Sequence, residues 1–327
     1  MNKCSLESNI LTVVVPTHNS VRYLSRCLDS ILNQSLKTIE IIIVDSSSSD
    51  DTPRLIEDYC QTYDNITCIS LDYTASIGAS RNIGLSHAKS RYISFLDSDD
   101  WIDSNAYLSM YKSIDNSNSD IAICGIKTEY GNSMSSTIRY DYPYMNEITG
   151  HFALHLLSRC HAQDVYISPM VSNKLYRTSF LKNNELSFPN SNFSEDNEFA
   201  FLTYVYSRNV MLVPGVYSHY FQRDDSITHQ YIKEQIDGLI NTFTALRTTL
   251  DNKGIFHQFH EDYYAFFEKC CNFILTVLYE NEQTEAIQKK YLNYLIHQIS
   301  GHLNTKELID YFDITRIYNF FRVYERR

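Results

Sequence analysis

Three acidic residues follow a short, mainly apolar run in the first third of the chain. The run Ile93–Leu96 is followed directly by Asp97, Asp99 and Asp100. A run of this length after a helical pattern predicts a buried strand of an α/β sheet, and ligands bind outside the carboxyl ends of such strands. Clustered carboxylates repel one another unless a cation offsets them, and Mg²⁺ or Mn²⁺ prefers oxygen ligands. The segment predicts a metal–diphosphate site, with a solvated acidic turn as the alternative.

The elements that must position these acids alternate in type. Strand patterns cover residues 11–15, 39–44, 66–71, 92–96 and 120–126. Helical patterns lie between the first four of them, over 21–32, from Thr52 onward and over 77–88. This alternation predicts an α/β fold with a mostly parallel sheet flanked by helices.

The rest of the chain has a looser pattern. Residues 130–144 predict a loop or a small hairpin, and residues 169–181 and 194–206 predict a loop-and-helix segment. From about residue 231 the pattern is helical, with a break at Gly254. We therefore expect a catalytic domain over 1–230 and a helical C-terminal region over 231–327.

Composition and charge exclude several classes of protein. The chain has 327 residues and a net charge of −11, which argues against a nucleic-acid partner. The N-terminus lacks the apolar core of a signal peptide, and no apolar run approaches the ~20 residues of a membrane helix. The eight cysteines show no zinc-site spacing. These features predict a cytoplasmic protein.

Six segments in order resemble the motifs of family 2 glycosyltransferases. They are Val14–Asn19, Ile43–Asp50, Gly78–Gly84, Phe95–Asp100, Ser172–Arg177 and Ser194–Phe199. The resemblance covers roughly residues 10–230. It implies a GT-A fold, a nucleotide-diphosphate sugar donor, a divalent metal and inversion at the anomeric carbon.

The resemblance also assigns roles to residues. It implies a donor site formed by Pro16, Thr17, His18, Asn19, Asp45, Arg81, Asp97 and Asp99. Asp97 and Asp99 would hold Mn²⁺ or Mg²⁺, and Asp100 would be a supporting or structural acid. After Asp45 the chain has Ser46 and Ser47 where the family usually has Asp-Gly, which leaves the base contact and the donor nucleotide open.

The acceptor side rests on the same resemblance. Asp196 is the candidate general base, because inversion by single displacement needs a carboxylate to take the acceptor's proton. Glu195 would bind the acceptor or tune Asp196; alternatively, Ser194 caps a helix whose first turn holds these acids. Lys174 would meet phosphate or an anionic acceptor.

A later segment, residues 219–228, resembles the family's closing loop over the diphosphate. His219 and Arg223 are its candidate contacts. A structural histidine after a strand is the alternative for His219.

The predicted function is metal-dependent transfer of a hexose or N-acetylhexosamine, from a UDP-sugar to a hydroxyl of a growing surface glycan such as a capsule. The acceptor would be lipid-linked. The basic, aromatic stretch 316–327 would contact the inner face of the plasma membrane or pack within its own domain, and the helical region could also form a homodimer. The alternatives are a non-catalytic sugar-nucleotide-binding protein and a phosphatase of the haloacid dehalogenase type.

Overall fold

The computed structural model describes residues 9–131, 135–159, 166–223, 232–280, 284–304, 306, 307 and 310. The chain divides into two compact units, Met1–Ala153 with Val165–Arg223, and Leu154–Asp164 with Asp224–Arg327. The expected domain boundary between residues 230 and 231 lies outside the described residues.

The first unit contains a sheet of ten strands. The strands are β1 (Leu11–Thr17), β2 (Ile39–Ser46), β3 (Ile66–Leu71), β4 (Tyr92–Phe95), β5 (Trp101–Ile102), β6 (Ile121–Tyr130), β7 (Ser135–Tyr140), β8 (Asn146–Thr149), β9 (Lys174–Arg177) and β10 (Asn209–Gln222). Their order is β3-β2-β1-β4-β9-β6-β10-β5, with β7 beside β6 and β8 beside β10.

The half of the sheet formed by β1 to β4 is parallel. Val14 pairs with Ile42 on one side and with Phe95 on the other, and these residues are buried. Burial on both faces explains why the strands read as nearly continuous apolar runs. The carboxyl ends of the four strands therefore lie along one edge, as the alternating pattern predicted.

The other half of the sheet is mixed. β9 lies antiparallel between β4 and β6, whereas β6 and β10 are parallel. Residues 169–181 were predicted to form a loop and a helix; the strand Lys174–Arg177 corrects this prediction. The predicted hairpin is confirmed, because β7 pairs antiparallel with β6.

Helices cover the sheet of the first unit. They are α1 (Leu24–Leu32), α2 (Thr52–Thr62), α3 (Ile77–His87), α4 (Ala106–Asp115), α5 (Gly150–Ser158), α6 (Thr178–Asn183) and α7 (Glu195–Tyr206). α5 runs across the boundary between the two units. The α/β architecture with a helix-flanked sheet is confirmed.

The second unit is helical, as predicted. It contains α8 (Ile232–Asn252), α9 (Phe256–Glu280) and α10 (Glu285–His302). Gly254 adopts the left-handed conformation (φ 69°) between α8 and α9, at the predicted break. Among the described residues no helix is long and apolar enough to cross a membrane. The stretch 316–327 lies outside the described residues.

Candidate active site

The ends of β1 and β2 lie side by side at the carboxyl edge of the sheet. Thr17 pairs with Asp45, and both side chains are buried. The next two residues along the chain, His18 and Asn19, are exposed. Of the residues predicted for the donor site at this strand end, His18 and Asn19 are therefore the accessible ones, whereas Pro16 and Thr17 are buried.

Hydrogen bonds join these two strand ends into one structure. Asp45 Oδ1 accepts from Ser48 Oγ at 2.5 Å, and that hydroxyl in turn accepts from the Asn19 backbone N–H at 2.8 Å. His18 Nδ1 lies 2.7 Å from the Ser46 carbonyl oxygen. Asp45 therefore holds the loop after β2 in place, and it also lies where the nucleobase of the donor is predicted to bind.

The two serines that replace the family's Asp-Gly have different local roles. Ser46 is buried, and its hydroxyl oxygen accepts from the Ala75 N–H at 2.6 Å and lies 3.1 Å from the Ala75 carbonyl oxygen. Ser47 takes the left-handed conformation, with φ 54°. Ser46 thus ties the end of β2 to the loop before α3, and Ser47 makes a turn that glycine would make without a Cβ penalty.

Arg81 on α3 connects the acids after β4 with the start of α7. Its guanidinium donates from Nη2 to Asp97 Oδ1 and from Nη1 to Glu195 Oε1, both at 2.7 Å. The Arg81 side chain is only 3% exposed, so both bonds are formed largely out of water. A planar fork is suited to such paired contacts. Residues predicted for the donor side and the acceptor side therefore share one buried cation.

The carboxyls of Glu195 and Asp196 have raised pKa values. Burial raises the pKa of Glu195 to about 7, although the nearby Arg81 guanidinium opposes the shift. Burial also raises the pKa of Asp196; Arg81 lowers it in part, and the neighbouring Asp97 raises it further. A carboxylate with a raised pKa is a better proton acceptor when it is ionised. Asp196 is half-buried, so its chemistry fits the predicted base.

The start of α7 agrees in part with the alternative considered for it. Ser194 occupies the N-cap position, but its backbone is left-handed (φ 61°) and its side chain makes no capping hydrogen bond, so the predicted side-chain cap is wrong. The acids of the first helical turn are Glu195, Asp196 and Glu198. Negative charge there is favoured by the helix dipole.

The remaining two acids after β4 have separate environments. Asp99 Oδ2 lies 3.1 Å from Arg223 Nε. Burial raises the pKa of Asp99 to about 6, Arg223 opposes the shift and Asp97 adds to it. Asp100 is fully buried and accepts the Phe221 N–H at 2.9 Å, which suits the structural role expected of it.

The donor atoms at the acidic strand end suit a hard divalent cation. Asp97 and Asp99 keep 27% and 22% of their side-chain surface exposed, and both offer carboxylate oxygens. In the described part of the chain no three His, Cys, Asp or Glu side chains are grouped to hold a metal ion by themselves. Mg²⁺ is commonly held by one or two carboxylates plus substrate phosphates, so this donor set fits such an ion.

Arg26 on α1 is a site residue that the sequence analysis missed. Its Nη2 donates to the Asp99 carbonyl oxygen at 2.7 Å, and its guanidinium lies 3.9 Å from the centre of the Trp101 ring and 4.4 Å from that of Phe221. It fixes the backbone of the acidic loop. In the sequence Arg26 stands out only as a cation between the apolar positions Leu24 and Cys27 of a helical pattern, which does not predict this contact.

Two predicted contact residues are internal. Lys174 is fully buried, and its ammonium donates to the Ser168 and Met170 carbonyl oxygens and, at 3.0 Å, to Asn173 Oδ1. Burial lowers its pKa to about 7. The structure therefore does not place Lys174 where a phosphate or an acceptor could reach it.

His219 is also buried, and it lies between two acids. Its Nδ1 is 2.8 Å from Glu129 Oε1 and its Nε2 is 3.0 Å from Asp103 Oδ1, while the ring stacks on Trp101. It supports the structure, as its alternative interpretation held. Arg223, in contrast, reaches the acidic loop. Residues 224–228 of the predicted closing loop lie outside the described residues.

Comparison with known proteins identifies the family. The family model described as Glycosyl transferase family 2 matches residues 12–179. The chain belongs to this family. The match to family 2 contains β2 to β4, all of β1 except Leu11, and Arg81, whereas Glu195 and Asp196 follow it.

Two bacterial proteins illustrate the similarity of this family 2 chain to curated glycosyltransferases. The chain is 28% identical to Glycosyltransferase GlyA of Streptococcus pneumoniae over 75% of its length and 35% of that protein. It is 27% identical to the putative glycosyltransferase EpsH of Bacillus subtilis over 79% of its length and 74% of that protein. The chain thus spans about a third of the first relative and three quarters of the second.

A solved structure of similar fold is Staphylococcus aureus TarS 1-349 in complex with UDP-GlcNAc. The two agree with a TM-score of 0.67 over 90% of this chain and 81% of that one, at 21% identity. The structure of TarS 1-349 without that ligand gives a TM-score of 0.64. The GT-A-like fold that the sequence motifs implied is confirmed.

Proposed function

We propose that this protein transfers a sugar from a nucleotide-diphosphate donor, UDP-sugar in particular, to a hydroxyl of a growing surface glycan, with inversion. The observation that carries the proposal is the shared guanidinium of Arg81. It holds Asp97, at the predicted donor site, and Glu195, beside the predicted base, within one hydrogen-bonded unit. Inversion requires donor and base to be fixed on opposite sides of the reacting carbon.

The donor would bind across the carboxyl ends of β1, β2 and β4. His18 and Asn19 offer exposed side chains to the nucleoside, and Asp45 lies behind them. TarS, of similar fold, has been solved with UDP-GlcNAc and with UDP. A uridine donor and a hexose or N-acetylhexosamine are therefore our first choice.

The diphosphate would lie at the acidic strand end. Asp97 and Asp99 would hold Mg²⁺ or Mn²⁺ there, and Arg223, 3.1 Å from Asp99, would meet phosphate oxygens. A bound divalent ion would offset the charge that develops on the leaving diphosphate. Arg26 would keep the Asp99 backbone in place as the donor binds.

The proton of the acceptor hydroxyl would pass to the carboxylate of Asp196. Attack by the hydroxyl oxygen forms the new glycosidic bond as the bond from sugar to phosphate breaks. Arg81 and Glu195 would orient the first turn of α7, because the guanidinium fixes the residue next to the base. We keep a lipid-linked glycan as the proposed acceptor, with peripheral contact at the inner face of the plasma membrane.

Titration calorimetry with a panel of nucleotides and nucleotide sugars tests the donor assignment. Each ligand is titrated with Mn²⁺ and again with a chelator. We expect metal-dependent binding of UDP and of one UDP-sugar. Binding of a different nucleotide would replace uridine in the proposal, and binding of none would refute it. Donor binding without any turnover would instead identify a sugar-nucleotide-binding protein.

A further inference from the structure

The first turns of α3 hold the segment that leads into α7, here called the 188–192 segment. Four polar contacts join them: Ser76 Oγ to Asn190 Oδ1 at 2.6 Å, Ile77 N to Asn192 Oδ1 at 3.0 Å, Gly78 N to the Ser191 carbonyl oxygen at 3.4 Å, and the amide of Asn82 to the backbone of Phe188. The 188–192 segment is therefore attached to the helix that carries Arg81.

Asn82 makes a two-way contact in this set. Its Nδ2 donates to the Phe188 carbonyl oxygen at 2.7 Å, and its Oδ1 accepts from the Phe188 N–H at 2.8 Å. One side chain thus satisfies both backbone groups of a buried residue, as a neighbouring strand would do. No other residue type has the same donor and acceptor pair on so short a side chain.

Gly78 allows the close approach of the two segments. A Cβ atom at this position would lie 2.1 Å from the Pro189 carbonyl oxygen. Any larger residue would push the 188–192 segment away from α3. The short distance between the backbones of α3 and the 188–192 segment therefore depends on glycine at position 78.

Phe188 carries the contact onward to α7. Its ring stacks on that of Phe199, with 3.8 Å between centroids and 15° between planes. Phe199 is buried in the first turns of α7, the helix that begins with Glu195 and Asp196. The path from Asn82 to α7 is thus one hydrogen-bonded pair and one ring stack long, and the Arg81 guanidinium lies 5.2 Å from the centre of the Phe188 ring on this path.

We propose that Asn82 is a positioning residue for sugar transfer, setting the place of Asp196 relative to the donor by holding Phe188. This inference rests on the proposed function, because it assigns Asp196 the role of base. Asn82 itself touches neither the acids after β4 nor those of α7 in the contacts seen. Its removal should therefore impair turnover far more than donor binding.

The test compares Asn82→Ala with Asn184→Ala. Asn184 donates from Nδ2 to the Phe180 carbonyl oxygen at 2.8 Å and is half-buried, so its variant loses a similar contact away from α7. UDP binding is measured by calorimetry. UDP release from saturating UDP-GlcNAc, or from the UDP-sugar that binds, is measured well below each melting temperature, with a glycan hydroxyl or water as the acceptor of the sugar. Hydrogen exchange of residues 188–196 is recorded in parallel.

For Asn82→Ala we expect at least a ~10-fold lower rate of UDP release, since small misplacements cost up to ~100-fold. UDP affinity should stay within about threefold, and exchange should accelerate in residues 188–196. Asn184→Ala should match the wild type in the rate of UDP release, in UDP affinity and in the hydrogen exchange of residues 188–196. An unchanged rate, an unchanged exchange pattern, or an equal loss of UDP affinity would overturn the inference. No UDP release by the wild type would instead refute the proposed function itself.

Discussion

The carboxylates of Asp97 and Glu195 accept hydrogen bonds from the two terminal nitrogens of one guanidinium group, that of Arg81, each at 2.7 Å. Asp97 lies just after β4, and Glu195 is the first residue of α7, far away along the chain. Because the cation is buried, neither acid can move without leaving a charge unpaired. The relationship fixes the distance between Asp97, a proposed metal ligand, and the first turn of α7, which carries the proposed base Asp196.

Arg81→Met should destabilise the protein strongly. Removing one partner from a buried ionic group costs about 3–5 kcal/mol, because the remaining carboxylates lose their counter-charge. Urea unfolding at pH 7.5 measures the change. The double variant Arg81→Met with Glu195→Gln should recover part of that loss, since one unpaired acid is then neutral. A single-variant loss below about 1 kcal/mol would show that the guanidinium is not structurally required.

Glu198 should make the protein less stable as the pH rises. The residue is 8% exposed, its Oε2 has no hydrogen-bond partner within the described residues, and burial raises its pKa from 4.5 to about 7. Because the pKa is raised in the folded state, folding favours the protonated carboxyl of Glu198. Its contribution to the free energy of unfolding is fully present below pH 4.5 and is lost as the pH rises through 7.

Glu198→Gln tests this dependence. At pH 8 the variant should be more stable than the wild type by about 1–3 kcal/mol, and the difference should shrink toward pH 4.5. Unfolding free energies from pH 4.5 to 8 measure it. Glu57→Gln, at an exposed position on α2, is the control and should follow the wild-type curve. A Glu198→Gln variant that is less stable at pH 8 would refute the explanation.

Ser47→Gly should stabilise the loop after β2. The left-handed conformation costs a residue with a Cβ about 1–2 kcal/mol, and glycine's greater entropy in the unfolded chain offsets part of that. We expect a gain of up to about 1 kcal/mol in thermal unfolding. Ser48→Gly should have the opposite sign, because Ser48 Oγ bonds Asp45 and Asn19. Equal effects of the two changes would contradict the assignment.

Asp99→Ala should weaken metal-dependent donor binding. The loss of one carboxylate ligand should raise the Kd for UDP with Mn²⁺ by about 10–100-fold, and with chelator the wild type and the variant should bind equally weakly. Calorimetric titrations measure both. Asp58→Ala, an exposed acid on α2, is the control. Wild-type affinity in the Asp99 variant would remove this residue from the metal site.

The sequence predicted the parallel half of the fold well, because burial on both faces left long apolar runs such as those of β1 and β2. It missed β9, in which Lys174 and Arg177 look like surface cations. In the structure both side chains donate hydrogen bonds to backbone carbonyl oxygens: Lys174 donates to that of Ser168, and Arg177 donates to that of Ser119 at 2.7 Å. Ser119 lies far from Arg177 along the chain, so no local pattern of residues predicts this contact.

The candidate site was predictable where a motif sits at a strand end. Asp45, Asp97 and Asp99 lie where the alternation of strands and helices placed them. The roles of Arg26 and Asn82 were not predictable, since each depends on which backbone group its side chain meets after folding. The structural alternative for His219 held, but its two carboxylate partners were not predictable, because Glu129 lies on β6 and Asp103 follows β5.

The rate of UDP release from the bound UDP-sugar, with Mn²⁺ and acceptor, tests the central claim most directly when wild type and Asp196→Asn are compared. The amide keeps the shape of Asp196 but cannot take a proton, so the rate should fall by about 100–10,000-fold. UDP binding should stay within about threefold, because Asp196 is the proposed base and not one of the proposed donor-binding residues. Sugar transfer by Asp196→Asn at the wild-type rate would contradict the account.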